Sequence, residues 1–278
     1  MQPQAQRAKA FEALHAAPGA FVIPNPWDAG SARILAGLGF KALTTTSAGY
    51  ARSIGVTDYK AGRDNVLAHC RELAAATDLP LAADLENGFG HSPQDCADTI
   101  RLGAEAGLVG GSIEDATTDP AKPLYEIAHA ADRIRAAAEA ARALPFKFML
   151  VARAEHYLNP NPTLGETIAR LQAFQEAGAD VLFAPGLESV EDLRTVCASI
   201  DRPFNIMRGP RNAWLTLDEL AEIGVKRVSL GGMLHSAAMT GFIAAAKEAA
   251  SGSFAFGKSL VSGAEIDGLL GKGTPKGR

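Results

Sequence analysis

The chain has 278 residues, 47% of them hydrophobic, 21% charged and 6% aromatic, with 28 glycines, 15 prolines and three cysteines. That composition excludes a disordered tail protein, a collagen-like repeat and a disulfide-built miniprotein, and it supplies a core that stands without staples. With 27 Lys and Arg against 31 Asp and Glu, the net charge is -4 and the basic residues form no cluster, which argues against a nucleic-acid binder.

In chain order, Met1 to His15 is polar and lacks the apolar run of a signal peptide. No run reaches the roughly 20 apolar residues of a spanning helix. A soluble, cytoplasmic protein without membrane contact is expected. Cys70, Cys96 and Cys197 lie far apart in helical contexts, and they read as buried thiols in a reducing compartment.

Short apolar runs predict strands starting near Phe21, Ala42, Leu81, Leu108, Phe148, Asp180, Pro203 and Arg227. Helices are expected over Ser31–Leu38, Asp64–Ala76, Pro93–Ala106, Leu124–Ala143, Leu164–Ala177, Val190–Ser199, Leu217–Ile223 and Leu234–Ala250. Gly107, Gly178 and Gly224 follow helices where left-handed C-caps are needed. Runs apolar on both faces suit a buried parallel sheet. Eight such units predict an α/β protein with one (β/α)8 TIM-type barrel over 1–278. A doubly wound open sheet is the competing reading, but no Gly-x-Gly-x-x-Gly follows an early strand. The glycine-rich stretch 252–278 is expected to fray at its end or to reach a neighbouring subunit.

Barrel chemistry sits at the C-terminal ends of the strands. There the sequence places Asn25 and Asp28, Thr46 and Ser47, Asp84 and Glu86, Glu114 and Asp115, Arg153 and Glu155, Asn205 and Arg208, and Gly231-Gly232. Asp84 and Glu86, at i and i+2, point the same way if the strand continues, with Glu114 on the next strand. Three converging carboxylates require a compensating cation or proton, and all-oxygen ligation favours magnesium or manganese over zinc. The competing reading pairs Glu86 and Glu114 with Arg153 in a metal-free network. Arg153 reads as a clamp for an anionic substrate, as a counter-ion for Glu114, or as both. Ser47-Ala48-Gly49 offers a hydroxyl and backbone N–H groups to an anion, or is simply a turn. Asp28 is expected to cap the helix at Ser31. Gly231-Gly232 is a phosphate loop or a tight turn. His156 and His235 read as surface or hydrogen-bonding histidines before proton shuttles.

Four stretches and one strand end carry a resemblance: Pro24–Ala32, Thr46–Gly49, Asp84-Leu85-Glu86-Asn87-Gly88-Phe89-Gly90, Gly111–Asp115 and Val151-Ala152-Arg153. In this order they resemble the isocitrate lyase/phosphoenolpyruvate mutase superfamily over roughly residues 20 to 245. The resemblance implies a barrel whose last helix is often exchanged between subunits, in homodimers or homotetramers. It implies Asp84 as a direct magnesium ligand, with Glu86 and Glu114 holding the ion largely through water. Ser47, Ala48 and Gly49 would bind the carboxylate of an α-keto or α-hydroxy acid, with Asn205 also at the substrate. Arg153 would stabilise the enolate-like oxygen, and Asp58 would sit on a mobile loop.

The chain departs from the family at several points. The Lys-Lys/Arg-Cys-Gly-His loop of isocitrate and methylisocitrate lyases is replaced by Ala116–Pro123, without cysteine or histidine. Glu86 stands for an aspartate, and Pro185 for a glutamate after the sixth strand. Without the thiol, the expectation is a magnesium-dependent carbon–carbon lyase of the oxaloacetate-decarboxylating or malate-cleaving type. The alternatives are P–C chemistry, with Arg208, Arg211 or Lys122 assisting a phosphonate, and a non-catalytic carboxylate-binding barrel.

Overall fold

The computed structural model describes residues 2–209 and 214–276, so the expectation for Arg211 lies outside the described residues. All eight predicted strands form: β1 Phe21–Ile23, β2 Leu43–Thr44, β3 Leu81–Asp84, β4 Gly110–Glu114, β5 Met149–Arg153, β6 Val181–Phe183, β7 Phe204–Met207 and β8 Val225–Ser229. They are parallel, in the order β1-β8-β7-β6-β5-β4-β3-β2. The seam between β1 and β2 is drawn together by a hydrogen bond from the Thr44 N–H to the Pro24 carbonyl, 3.1 Å. The result is a (β/α)8 barrel, and the open-sheet reading is excluded.

The helices are α1 Gln4–Ala16, α2 Ala29–Gly37, α3 Ser47–Ser53, α4 Arg63–Ala76, α5 Pro93–Glu105, α6 Ile127–Arg142, α7 Leu164–Ala177, α8 Val190–Ala198, α9 Leu217–Ile223, α10 Met233–Ala250 and α11 Gly263–Gly273. Gly178 and Gly224 end α7 and α9 in the left-handed region, as expected. Asp28 caps α2 by accepting from the Ser31 N–H at 2.6 Å. The stretch before α6 is not helical. The Tyr125 N–H donates to the Asp115 carbonyl and Leu124 bridges Ala116, so the chain runs extended there.

Two apolar layers result. An alanine-rich layer joins the helices to the outside of the sheet. Inside the barrel, α1 drives Phe11 against Ile23, Val109, Met149, Val151 and Val181, closing the N-terminal end. The sequence showed no strand-like pattern at α1, and its plug role depends on the distant barrel interior.

The C-terminal stretch is ordered against its own chain as far as Lys276. Residues Ala255–Ser259 form a 3-10 turn and α11 packs on α2 of the same chain. A Cβ on Gly37 would strike the Leu269 backbone, and one on Gly273 the Arg33 backbone. These glycines let two helix backbones touch, whereas glycine counted alone signals fraying. By contrast, only His235 of α10 is buried, and Phe242 and Ile243 are exposed. No helix among the described residues is long and apolar enough to cross a membrane.

Cys70 and Cys96 are buried and Cys197 is half-buried, all as free thiols. His15 and His69 are buried, and burial pushes each imidazole down to about 4. The folded chain therefore keeps them neutral while the unfolded chain takes protons near pH 6.5. Their contribution is complete above pH 6.5 and is lost as pH falls towards 4. The loss should approach about 3 kcal/mol per histidine at pH 4. Urea denaturation at pH 7.5 and 4.5 should show this fall, and His15→Gln should make it smaller. An unchanged difference in that variant would remove His15 from the account.

Candidate active site

The strand ends deliver the polar groups to one mouth. Thr46 caps α3 by accepting from the Gly49 N–H at 3.2 Å, which fixes Ser47 at the first turn. The Ser47 hydroxyl donates to Asp84 Oδ2 at 2.9 Å, and the Asp84 N–H donates to Thr45 Oγ1 at 3.0 Å. The Ser47-Ala48-Gly49 turn is thus the start of a short helix facing the strand that carries Asp84. A cavity of about 250 Å3 opens here, reached by Ser47, Ala48, Asp58, Asp84, Arg153 and Asn205 among others.

Arg153, at the end of β5, organises the acidic side. Its Nη1 lies 3.3 Å from Glu114 Oε2 and 3.6 Å from Asp84 Oδ2, and its Nε donates to Glu155. The guanidinium also stands 5.1 Å from the centre of the Phe183 ring. Burial alone would disfavour its charge, but Glu155, Glu114 and Asp84 outweigh that and hold it protonated. Glu114 is buried, which raises its carboxyl strongly against the opposing pull of Arg153. Of the two sequence readings of Arg153, the counter-ion role is present in the geometry, and the same group faces the cavity.

Glu86 departs from the expected geometry. β3 ends at Asp84, and Glu86 adopts φ of +49°, outside the strand alternation that would align it with Asp84. Glu86 instead borders a second, wider cavity of about 670 Å3 with Asn87, Phe89 and His91. It does not pair with Arg153, so the metal-free network includes Glu114 but not Glu86. Burial, followed by the nearby Asp84 and Asp58 carboxylates, pushes Glu86 up to about 8. No group of three or more His, Cys, Asp and Glu side chains among the described residues converges to hold a metal by itself.

The turn after Glu86 is fixed by Gly88 and by α6. Gly88 has φ of +81°, and a Cβ there would meet Cys96. Arg133, fully buried on α6, donates to the carbonyls of Asn87, Gly90 and Glu114 and lies 4.1 Å from the centre of the Tyr125 ring. Arg170 anchors the next residue: its Nη1 is 3.0 Å from Asp115 Oδ2 and donates to the Tyr125 carbonyl at 2.9 Å. Burial lifts Asp115 to about 6.

Three residues without a role in the sequence reading enter the mouth. Tyr59, beside Asp58, donates its hydroxyl to Glu114 and borders both cavities. Burial and then Glu114 raise its phenol. Arg52 and Arg227 also line the smaller cavity. The sequence signal for Tyr59 was its adjacency to Asp58; Arg227 shows only as a charge in a strand run. Asp58 does reach the mouth, where burial raises its carboxyl despite a bond with Ser47.

Other expected groups lie elsewhere. His156 accepts from the Thr163 N–H at 3.0 Å, the hydrogen-bonding alternative of its expectation, and His235 is buried edge-on against Trp27. Arg208 donates to the Leu215 carbonyl. Lys122 is exposed on the loop after β4, outside the smaller cavity. Gly231 and Gly232 border that cavity just before α10.

The family model of phosphoenolpyruvate phosphomutase matches residues 11–250. A structure from Burkholderia cenocepacia J2315, described in general terms as a lyase/mutase, is 53% identical, with a TM-score of 0.93 over 95% of this chain and 96% of that one. Escherichia coli 2-methylisocitrate lyase is 30% identical over 222 residues, 76% of this chain and 74% of its own. A 2,3-dimethylmalate lyase structure is 25% identical, with a TM-score of 0.84 over 95% and 94% of the two chains. A phosphonopyruvate hydrolase in complex with oxalate and Mg++ shares the fold at 23% identity, with a TM-score of 0.83 over 95% of both chains.

Arg153→Met should strand Glu114 as a buried charge and destabilise the protein by about 3–5 kcal/mol at pH 8. Equilibrium urea denaturation measures this, and a loss under 1 kcal/mol would show that the ion cluster is not what holds these carboxylates.

Proposed function

The chain belongs to the isocitrate lyase/phosphoenolpyruvate mutase superfamily, and on that premise we propose that it is a magnesium-dependent lyase. It cleaves a C–C bond adjacent to an α-keto or α-hydroxy carboxylate. The observation that carries this reading is Arg153, half-buried at the end of β5 between Asp84, Glu114 and Glu155 and facing the mouth cavity. The naming of the relatives as lyases of branched malate-type acids supports the same substrate class.

The donor set fits magnesium, which is typically held by one or two carboxylates with several retained waters, not by a complete protein cage. Asp84 would hold it directly, with Glu114 through water, and with Glu86 through water only from the adjoining cavity that it borders. Burial does most to raise Glu86, and the nearby Asp84 and Asp58 carboxylates add to it; that added charge imbalance is what a divalent cation would relieve. When bound, the ion supplies Lewis-acid polarisation of the substrate oxygen.

The chain's own groups supply the remaining functions. Ser47 and the first turn of α3 receive the substrate carboxylate. Arg153 places a charged donor at the cavity wall where enolate oxygen charge grows. Tyr59 and Asp58 cover the mouth from the segment between α3 and α4, and Tyr59 holds Glu114 by its hydroxyl. With no cysteine or histidine in the 116–123 loop, solvent delivers the proton to the carbon. The exposed Phe242 and Ile243 of α10 suit contact with a second copy of the chain, in keeping with the expected homodimer or homotetramer.

Thermal melting of chelated protein, alone, with magnesium, and with magnesium plus oxalate, tests the pocket. Oxalate is a planar mimic of a pyruvate enolate. At a hundredfold excess over Kd it should raise Tm by about 5 °C or more, only with magnesium present. The rise should vanish in Asp84→Ala. Turnover of oxaloacetate or a branched malate should then release pyruvate or another keto acid. Phosphate release from phosphonopyruvate, without cleavage of the carbon acids, would replace this reading with P–C chemistry. Oxalate binding without turnover of any candidate would leave a carboxylate-binding barrel.

A further inference from the structure

Arg227 lies within β8, in register with Phe21 of β1 and Asn205 of β7. Its side chain therefore points into the barrel, above Phe11, whose ring centre is 5.9 Å from the guanidinium carbon. It is 4% exposed, borders the mouth cavity, and has no hydrogen-bond partner at Nε or Nη1. Burial lowers its pKa to about 9, and no carboxylate of the described residues offsets that effect. Beside it Asn205, 1% exposed, donates to Ser229 Oγ at 3.2 Å while its Oδ1 has no partner. Buried donors and acceptors are nearly always satisfied, so two adjacent deficits at one cavity wall indicate a missing ligand group.

The ladder separates this pair from the acidic cluster. Arg153 registers with Phe183, Phe183 with Asn205, and Asn205 with Arg227. Three strand steps of about 4.8 Å each thus lie between the two arginines along the wall. Arg153 is already engaged by three carboxylates, whereas Arg227 is engaged by none. The cavity has an end suited to an enolate oxygen and a separate end suited to an anion.

We propose that Arg227, with Asn205 beside it, forms an inner anion subsite that receives a second carboxylate of the substrate and selects hydroxy- or keto-dicarboxylates over monocarboxylates. The proposal rests on the reading that a carboxylate substrate enters this mouth. A carboxylate oxygen accepting from one of these open donors would supply both the missing hydrogen bond and the missing counter-charge. A hydroxyl on the same ligand, as in malate, would donate to Asn205 Oδ1.

Titration calorimetry of the magnesium-loaded full chain should compare malate with 2-hydroxybutyrate, which keeps four carbons and the hydroxyl but lacks the second carboxylate. Wild type should prefer malate by tenfold or more. Arg227→Met should bring the ratio to within about twofold, with Arg227→Lys intermediate. The methionine variant should melt at or above the wild-type temperature, because it removes an unpaired buried charge. A ratio unchanged in both variants would overturn the subsite, as would a lower melting temperature with both ligands weakened equally. Failure of wild type to bind oxalate would instead overturn the enolate reading, while the malate preference would still decide the subsite.

Discussion

The mouth of this barrel depends on one guanidinium shared among three carboxylates. Asp84 from β3, Glu114 from β4 and Glu155 after β5 approach Arg153 together, and Glu114 is almost wholly removed from water. Such burial is tolerable only when the desolvation of each charge is offset by close opposite charge and by hydrogen bonds. Tyr59 donates the additional bond to Glu114 from above, and Arg133 fixes the Glu114 carbonyl from behind. The positions of Asp84, Glu114 and Glu155 are thereby tied to β5. Rigid strand ends hold these groups, while the segment carrying Asp58 and Tyr59 supplies a cover.

Much of this architecture was legible in the sequence because it is written locally. Apolar runs, glycine C-caps and the Asp28 cap depend on near neighbours, and each is found where the pattern places it. Arg153 was legible for the same reason, as the polar end of an apolar strand. Long-range constraints were not legible. The glycines of α11 read as a loose tail until α2 is set against them. Glu86 follows strand alternation on paper, but its own left-handed backbone, two residues beyond β3, turns it towards another cavity. Arg227 looks like an ordinary strand charge until the β7–β8 register points it inward. Tyr59 and Arg133 act on a glutamate 55 and 19 residues away, a relation no spacing pattern records.

The cavity walls are electrically unlike one another. Asp58 and Asp84 lie towards β3 and the covering segment, while Arg52 and Arg227 lie towards β8 and α10. A ligand carrying a cation at one end and an anion at the other would be oriented by this field before it made any specific contact. The superfamily scaffold accommodates several chemistries on one barrel.

Phe11 and the apolar layer around it seal the barrel below this cavity. The chamber is blind, with a single doorway. Were the proposed cleavage to leave two fragments inside it, the fragment nearer the floor would be trapped until the one above it departed. Release would then be sequential, and the outer fragment, by re-entering, would cork the inner one. Accumulation of that outer product would throttle the enzyme, so the geometry of a plugged barrel builds in a dependence on whatever clears it away.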